Sequence, residues 1–333
     1  MSSNAPTVVA NHSRLRNWLF WLLLLVLAAS LFANYWLWST WNNYFSGKTP
    51  VQERFHSGDE SAKAKIALLR MSGTIMPPFT ERLLDAIDSA AEDDAVRGVI
   101  LEVDSPGGFI ADSHQIYHRL QLLAQKKPIY VRMKRIAASG GLYIAMGAGP
   151  DAKIFVEPTT WTGSIGVIIP RYDMAELAKK TGISADPLKT GLLKDSLNPF
   201  REMTAEERQV WDVILDDAFQ QFLSVIEKNR TRLDRAAVEK LATGQIYTAR
   251  QALDAGLVDE TGFLEDVVES LKQKIGINSA RVVVYETMPG LFDVLNSYTI
   301  AQSSANPARL VLDMSVPRAM YFCSWAPVVP GVN

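Results

Sequence analysis

Three short stretches of this chain hold residue types suited to acyl-transfer chemistry. Ser105-Pro-Gly-Gly108 follows an apolar run directly, and its two glycines permit backbone conformations and close approach that side chains forbid. Backbone N–H groups exposed at such a turn can hold a developing oxyanion. Ala138-Ser139-Gly140-Gly141 lies at a second junction of the same kind. A serine there stands at a helix start, where the dipole and free N–H groups favour nearby negative charge. Serine also caps helices well, so taken alone Ser139 reads first as an N-cap. The third stretch is Thr190-Gly-Leu-Leu-Lys-Asp-Ser-Leu-Asn-Pro199, a loop-like run around Lys194. A lysine acts as general base only when neutral, which burial enforces by lowering its pKa. The flanking Leu192 and Leu193 offer such an apolar setting, although a surface lysine is the default reading.

Imidazole activates most hydroxyl nucleophiles, yet His12, His56, His114 and His118 all precede Ser139. That order favours a lysine as the base. Because triads occur in any chain order, His114 or His118 reaching Ser139 in space is the alternative. These two histidines are four residues apart on an expected helix, without an intervening acid or a third ligand, so they read as a solvated face and not a metal site. Cys323, the single cysteine, sits beside Tyr321, Phe322 and Trp325 and reads as a buried, inert thiol. The net charge of −2 supplies no field that would recruit nucleic acid.

The elements that must position these residues alternate. Apolar runs at 66–71, 96–103, 128–133, 154–156 and 164–169 read as strands. Helical periodicity separates them, with Thr80 expected to cap the first helix and a second helix at 112–126. Strands separated by helices imply a mostly parallel α/β sheet, in which chemistry collects where strand ends meet helix starts. Beyond Lys194 the chain turns helical. Thr204 and Glu207 form a capping box opening a long helix to about residue 232, and shorter helices follow at 235–242, 248–255 and 263–274.

From Trp18 to Leu37 the chain is apolar except for Ser30 and Asn34, enough at about 1.5 Å per residue to cross the roughly 30 Å core of a bilayer. Arg14 and Arg16 precede it and no Lys or Arg follows until Lys48, which predicts the N-terminus inside and the rest outside. Trp36, Trp38, Trp41 and Tyr44 suit the outer interface. Ala28-Ala29-Ser30 permits a cleaved signal peptide instead, but the apolar run continues past it, as an anchor does. The expected organisation is a cytoplasmic segment over 1–17, a transmembrane anchor over 18–38, a tether over 39–64, a catalytic domain over 65–275 and a C-terminal extension over 276–333.

Taken together, Asp104-Ser-Pro-Gly-Gly108, Ala137-Ala-Ser-Gly-Gly-Leu-Tyr-Ile-Ala145, Thr162-Gly-Ser-Ile-Gly-Val167 and Gly191-Leu-Leu-Lys-Asp195 resemble, in order and spacing, the signal peptide peptidase A family of Ser-Lys peptidases, over about residues 66–275. The resemblance implies a Clp-protease/crotonase-like fold of stacked ββα units with a helical C-terminal part. It implies Ser139 as nucleophile, Lys194 as general base, Ser164 positioning the lysine amine, and the N–H groups of Gly107 and Gly140 as the oxyanion hole. Neither metal nor cofactor is implied. The family's habit implies a homo-oligomeric ring on the outer membrane face, serine and lysine from neighbouring subunits, and substrates that are hydrophobic signal-peptide remnants with small residues near the cleaved bond. Gly147-Ala-Gly-Pro150 is slightly expanded relative to the family pattern, and the tail after Ala280 matches nothing in it. Its small and apolar residues predict packing across a neighbouring subunit or its groove. Two rival functions are another crotonase-like acyl-transfer enzyme, acting on CoA thioesters, and a ring-forming membrane scaffold that binds partners without catalysis.

Overall fold

The computed structural model describes residues 12–45, 51–287 and 319–323, with side chains from 17 to 39 in the first of these. The described residues divide into two compact units, one holding residues 12–45, the other 51–287 and 319–323.

In the first unit, α1 (His12–Phe45) is one continuous helix. Its segment Asn17–Ser39 is long and apolar enough to cross a membrane, and its leucines and tryptophans are exposed. A helix apolar on every face finds no stable place in water. Ala28-Ala29-Ser30 falls inside this helix.

The second unit is α/β, as expected. Its elements run β1 (Val51–Gly58), β2 (Lys65–Ser72), α2 (Phe79–Glu92), β3 (Val96–Ser105), β4 (Gly107–Phe109), α3 (Ile110–Ala124), β5 (Ile129–Ala138), α4 (Gly140–Ala145), β6 (Ile154–Val156), β7 (Trp161–Gly163), α5 (Ala175–Thr181), α6 (Ala205–Asn229), α7 (Arg235–Leu241), β8 (Ile246–Thr248), α8 (Ala249–Asp254), β9 (Glu260–Thr261), α9 (Leu264–Ile275), β10 (Arg281–Thr287) and β11 (Met320–Phe322). The main sheet orders as β1-β10-β2-β3-β5-β6-β9, with β7 pairing β5 and β8. From β10 through β9 every pairing on this path is parallel, and antiparallel β1 closes one edge.

Period-two alternation sorts the strand side chains onto two faces. Val99, Leu101 and Val103 of β3 join the core under α2, α3, α4 and α6, whereas Ile100 joins Leu264, Val267 and Leu271 of α9. Burial on both faces explains the solid apolar stretch Val99-Ile-Leu101 at the centre of β3.

Several boundaries differ from those expected. Residues 51–58, assigned to the tether, form β1 against β10, and β10 places residues 281–287 inside the sheet instead of in a separate extension. The partners of both strands are remote in sequence, so local pattern carries no sign of the pairing. The strand expected at 164–169 lies earlier, at β7, and only Ile168 makes an isolated bridge. Thr80 falls within α2 and its hydroxyl donates to Asp112 (2.6 Å), leaving Pro78 at the N-cap. The capping box opening α6 is present, with Thr204 Oγ1 accepting from the Glu207 N–H and Glu207 Oε2 from the Thr204 N–H.

Asp93 ties the sheet's lower end together. Burial alone would raise its pKa, but Lys65 Nζ at 2.8 Å, the Tyr285 hydroxyl at 2.6 Å and the Ala95 N–H outweigh that and hold the carboxyl down, at about 2. A depressed carboxylate pKa stabilises the fold above the unfolded value near 4, and that stability is lost as pH falls through about 2. The carboxylate is a quarter exposed, which limits the contribution to at most about 2 kcal/mol. Denaturant melts of Asp93→Asn should therefore show a flatter dependence on pH between about 4 and 2 than the parent.

Candidate active site

Three of the four glycine-containing motifs meet because neighbouring strands end side by side. In the parallel register Ser105 of β3 lies opposite Ala137 of β5, and Ala138 lies opposite Gly163 of β7. The turns after these strands therefore open at the carboxyl edge of the sheet, where α/β proteins build their sites.

Ser139 occupies the N-cap position of α4 with φ 54° and ψ −114°, and its side chain makes no capping bond. Ser139 thus holds the N-cap position, but its side chain does not cap. A non-glycine residue with positive φ costs of order 1–3 kcal/mol and persists where the surroundings impose it. Here the Ser139 N–H donates to the Gly163 carbonyl (2.7 Å), and its carbonyl accepts from the Tyr143 N–H (2.9 Å). Ser139 is 1% exposed and its Oγ has no hydrogen-bond partner, although buried hydroxyls nearly always find one. A strained strand-to-helix turn presenting an unengaged hydroxyl is the arrangement that aims a nucleophile.

Ser164, next to Gly163, is the other non-glycine residue with positive φ among the described residues, at 50°, and its N–H donates to the Gln245 carbonyl (2.7 Å). Gly163 has φ +89°, and a Cβ there would lie 2.4 Å from the Tyr247 ring. Gly163→Ala should cost about 1–3 kcal/mol by strain and clash and loosen the carbonyl that anchors Ser139. Thermal melts beside steady-state kinetics check both effects.

Gly107 has φ +105° and faces Gly140 across the cleft, where a Cβ on it would come within 2.8 Å of the Gly140 nitrogen. Gly140 is the first residue of α4, so its N–H is among those a helix leaves without an intrahelical acceptor. The Gly107 N–H donates to Ser105 Oγ (3.1 Å), so it would have to exchange that acceptor to serve an oxyanion. Asp104 fixes the turn from behind, its buried carboxylate accepting from Arg135 of β5 at 2.7 Å.

Ser139, Ser164, Gly107 and Gly140 are thus brought together, whereas Lys194 is not. It lies in an exposed 3-10 turn over Leu192–Asp195, and no ion pair of its amine exists among the described residues. Leu192 and Leu193 are exposed as well, so the expected apolar setting is missing within one chain. Asp195 beside it is held well below the usual carboxylate range by Arg201 and Lys189. The histidine alternative fails on geometry: His114 Nδ1 bonds the Tyr143 hydroxyl at 2.7 Å and leaves Ser139 alone. Burial, then the charge of His118, lowers the His114 pKa.

Residues 121–278, a span that includes Ser139, Ser164 and Lys194, match peptidase family S49. An Enterococcus faecium protein named as signal peptide peptidase SppA is 37% identical over 257 residues, covering 74% of this chain and 73% of its own length. The chain belongs to this family. A Synechocystis protease is 35% identical over 67% of this chain and 78% of its own, and the chloroplastic serine protease SPPA of Arabidopsis thaliana is 31% identical over 63% of this chain and 31% of its own. As an S49, SppA-type chain it is a serine peptidase.

This S49 peptidase carries site features that its sequence alone does not announce. Tyr143, one turn beyond Ser139, anchors an aromatic cluster with Tyr117 (5.4 Å between centroids), Phe222 (5.2 Å) and Tyr321 (4.9 Å), and burial pushes its hydroxyl pKa up to about 12. Cys323 is buried, as its neighbours suggested.

Proposed function

We propose that the chain is a membrane-anchored Ser-Lys endopeptidase that cleaves hydrophobic peptides such as signal-peptide remnants. Ser139 Oγ attacks the peptide carbonyl, a neutral Lys194 amine takes its proton and delivers it to the leaving amine, and Ser164 positions that amine. The N–H groups of Gly140 and Gly107 receive the oxyanion, a removed donor of this kind costing about 3–4 kcal/mol. The observation that carries this reading is Ser139 itself, buried at positive φ with an unengaged hydroxyl.

Lys194 reaches Ser139 from a second copy. Leu188, Leu192 and Leu193 lie exposed in its loop, and Val210, Val213 and Ile214 lie exposed on α6, an apolar surface of the kind that subunit contacts cover. Assembly as a homo-oligomeric ring would bury this surface and supply the lysine with its apolar setting. The Asn17–Ser39 segment anchors the ring to the inner membrane, N-terminus cytoplasmic, catalytic unit on the periplasmic side.

A fluorophosphonate probe applied to the detergent-solubilised full chain should label Ser139, and Ser139→Ala should take no label. Peptide hydrolysis should climb on an alkaline limb, since the base works only when deprotonated. A flat profile from about pH 5 to 9 contradicts a lysine base.

A further inference from the structure

Lys194 is exposed, yet the turn that carries it is fastened inward. Arg201 holds the next residue, Asp195: its Nε donates to Oδ2 at 3.0 Å, and its Nη2 donates to Oδ1 at 2.9 Å and to the Asp195 carbonyl at 3.0 Å. The same guanidinium donates from Nη1 to Glu207 Oε2 at 2.9 Å. Glu207 is 2% exposed and belongs to the capping box that opens α6. Arg201 thus stands six residues from each carboxylate and ties the Lys194 turn to the start of the long helix.

Further bonds fix the stretch between them. Trp211 Nε1 of α6 donates to Ser196 Oγ (3.0 Å), the Arg171 guanidinium donates to the Arg201 carbonyl (2.7 Å), and the Met174 N–H donates to the Pro199 carbonyl (2.7 Å). Lys189 sets a second cation on Asp195 and donates to the Leu192 carbonyl (3.1 Å). Simple exposed ion pairs contribute little to stability, because side-chain entropy and screening offset their attraction. A guanidinium fork that joins a buried carboxylate to a turn's side chain and carbonyl at once fixes geometry instead. The side chains of Leu192, Leu193 and Lys194 stay exposed while Asp195 and the backbone around it are anchored, so the turn presents its lysine from a rigid base.

We infer that Arg201, acting through Asp195, is the positioning residue that sets where the Lys194 amine is presented to Ser139. This rests on the proposed Ser-Lys reading and deepens it. Arg201 takes no part in proton transfer and works only through the lysine. Positioning of this kind acts on rate more than on binding, since a displacement of about 1 Å at a reacting group can cost about 100-fold.

Two variants of the full chain in detergent open this clamp by different routes. Asp195→Ala frees the turn and leaves the Arg201–Glu207 pair in place, whereas Arg201→Lys keeps a cation for Glu207 but lacks the fork that reaches both carboxylates. Each should lower kcat for a fluorogenic peptide at least about tenfold, with KM changed less than about twofold. In a Lys194→Ala background the same substitutions should change the residual rate by less than about twofold, because a residue that works through the lysine has nothing left to act on. Backbone amides of residues 192–198 should exchange hydrogen at least about tenfold faster in both variants, while those in the middle of α6 keep their protection. Unchanged kcat in both variants, an equal loss in the Lys194→Ala background, or unchanged exchange at 192–198 overturns the inference. A dead Lys194→Ala beside unaffected clamp variants sinks the inference alone, whereas full activity of Lys194→Ala sinks the Ser-Lys reading and the inference with it.

Discussion

Ser139→Ala should reduce peptide hydrolysis by at least about 10³-fold while leaving the fold intact. The Oγ makes no hydrogen bond, so removing it leaves no partner unsatisfied and creates almost no cavity. Alanine also retains the backbone anchor, since the bonds to Gly163 and Tyr143 use main-chain atoms. The strain of φ 54° is shared by serine and alanine alike, so thermal melts should shift by little. Catalytic loss with unchanged stability is therefore the signature of a nucleophile, and it separates that role from the helix-capping role the sequence also allows. A capping serine would do the reverse, with alanine costing about 1 kcal/mol of stability and sparing turnover. Steady-state kinetics beside calorimetry on the same preparation decides between them. Retention of more than a tenth of the activity would remove Ser139 from the chemistry.

The α/β alternation was legible because β3 and β5 carry short apolar stretches buried on both faces, Val99-Ile-Leu101 and Ile129-Tyr-Val131, while α6 announces its start with Thr204 and Glu207. The glycine motifs were legible for a different reason. A cleft that admits backbone from both sides excludes side chains, and Gly107 shows how tightly, since a Cβ would fall 2.0 Å from the Tyr321 oxygen. What stayed hidden depends on long-range pairing. The β1 sequence, Val51-Gln-Glu-Arg-Phe, is polar because it forms the sheet edge, where Arg54 pairs with Glu286 at the surface, so it passes for a tether. The β11 strand is three residues long and owes its place to β4 and Ile168, neither of which its own composition encodes. The misplacement of the strand after Trp161 has a local cause: Ser164 turns to positive φ immediately after β7, ending the strand where the apolar pattern continues through Ile169. Lys194 illustrates the remaining gap. Its leucine neighbours read as burial, and in one chain they are exposed, because an apolar sequence does not say whether its cover comes from the same copy.

An equal mixture of Ser139→Ala and Lys194→Ala chains should recover activity that neither has alone. If the amine comes from a neighbouring copy, a mixed ring contains sites where an intact Ser139 meets an intact Lys194. Each interface in a randomly assembled ring draws its serine from one chain and its lysine from the next, so about a quarter of the sites are intact on simple statistics. Recovery should therefore approach about 25% of the parent rate after dissociation and reassembly in detergent, and should stay near zero when the two variants are mixed without exchanging subunits. Lys194 makes this test clean because it forms no ion pair among the described residues, so Lys194→Ala should leave the individual fold undisturbed. Two dead variants without rescue would place the lysine in the same chain as its serine, which would require the 3-10 turn at Leu192–Asp195 to fold back over the cleft. Full activity of Lys194→Ala on its own would remove the lysine from the mechanism and leave Ser139 in need of another base. The exposed leucines around Lys194 give a second readout, because Leu192→Asp should weaken assembly and activity together if that surface is where subunits meet.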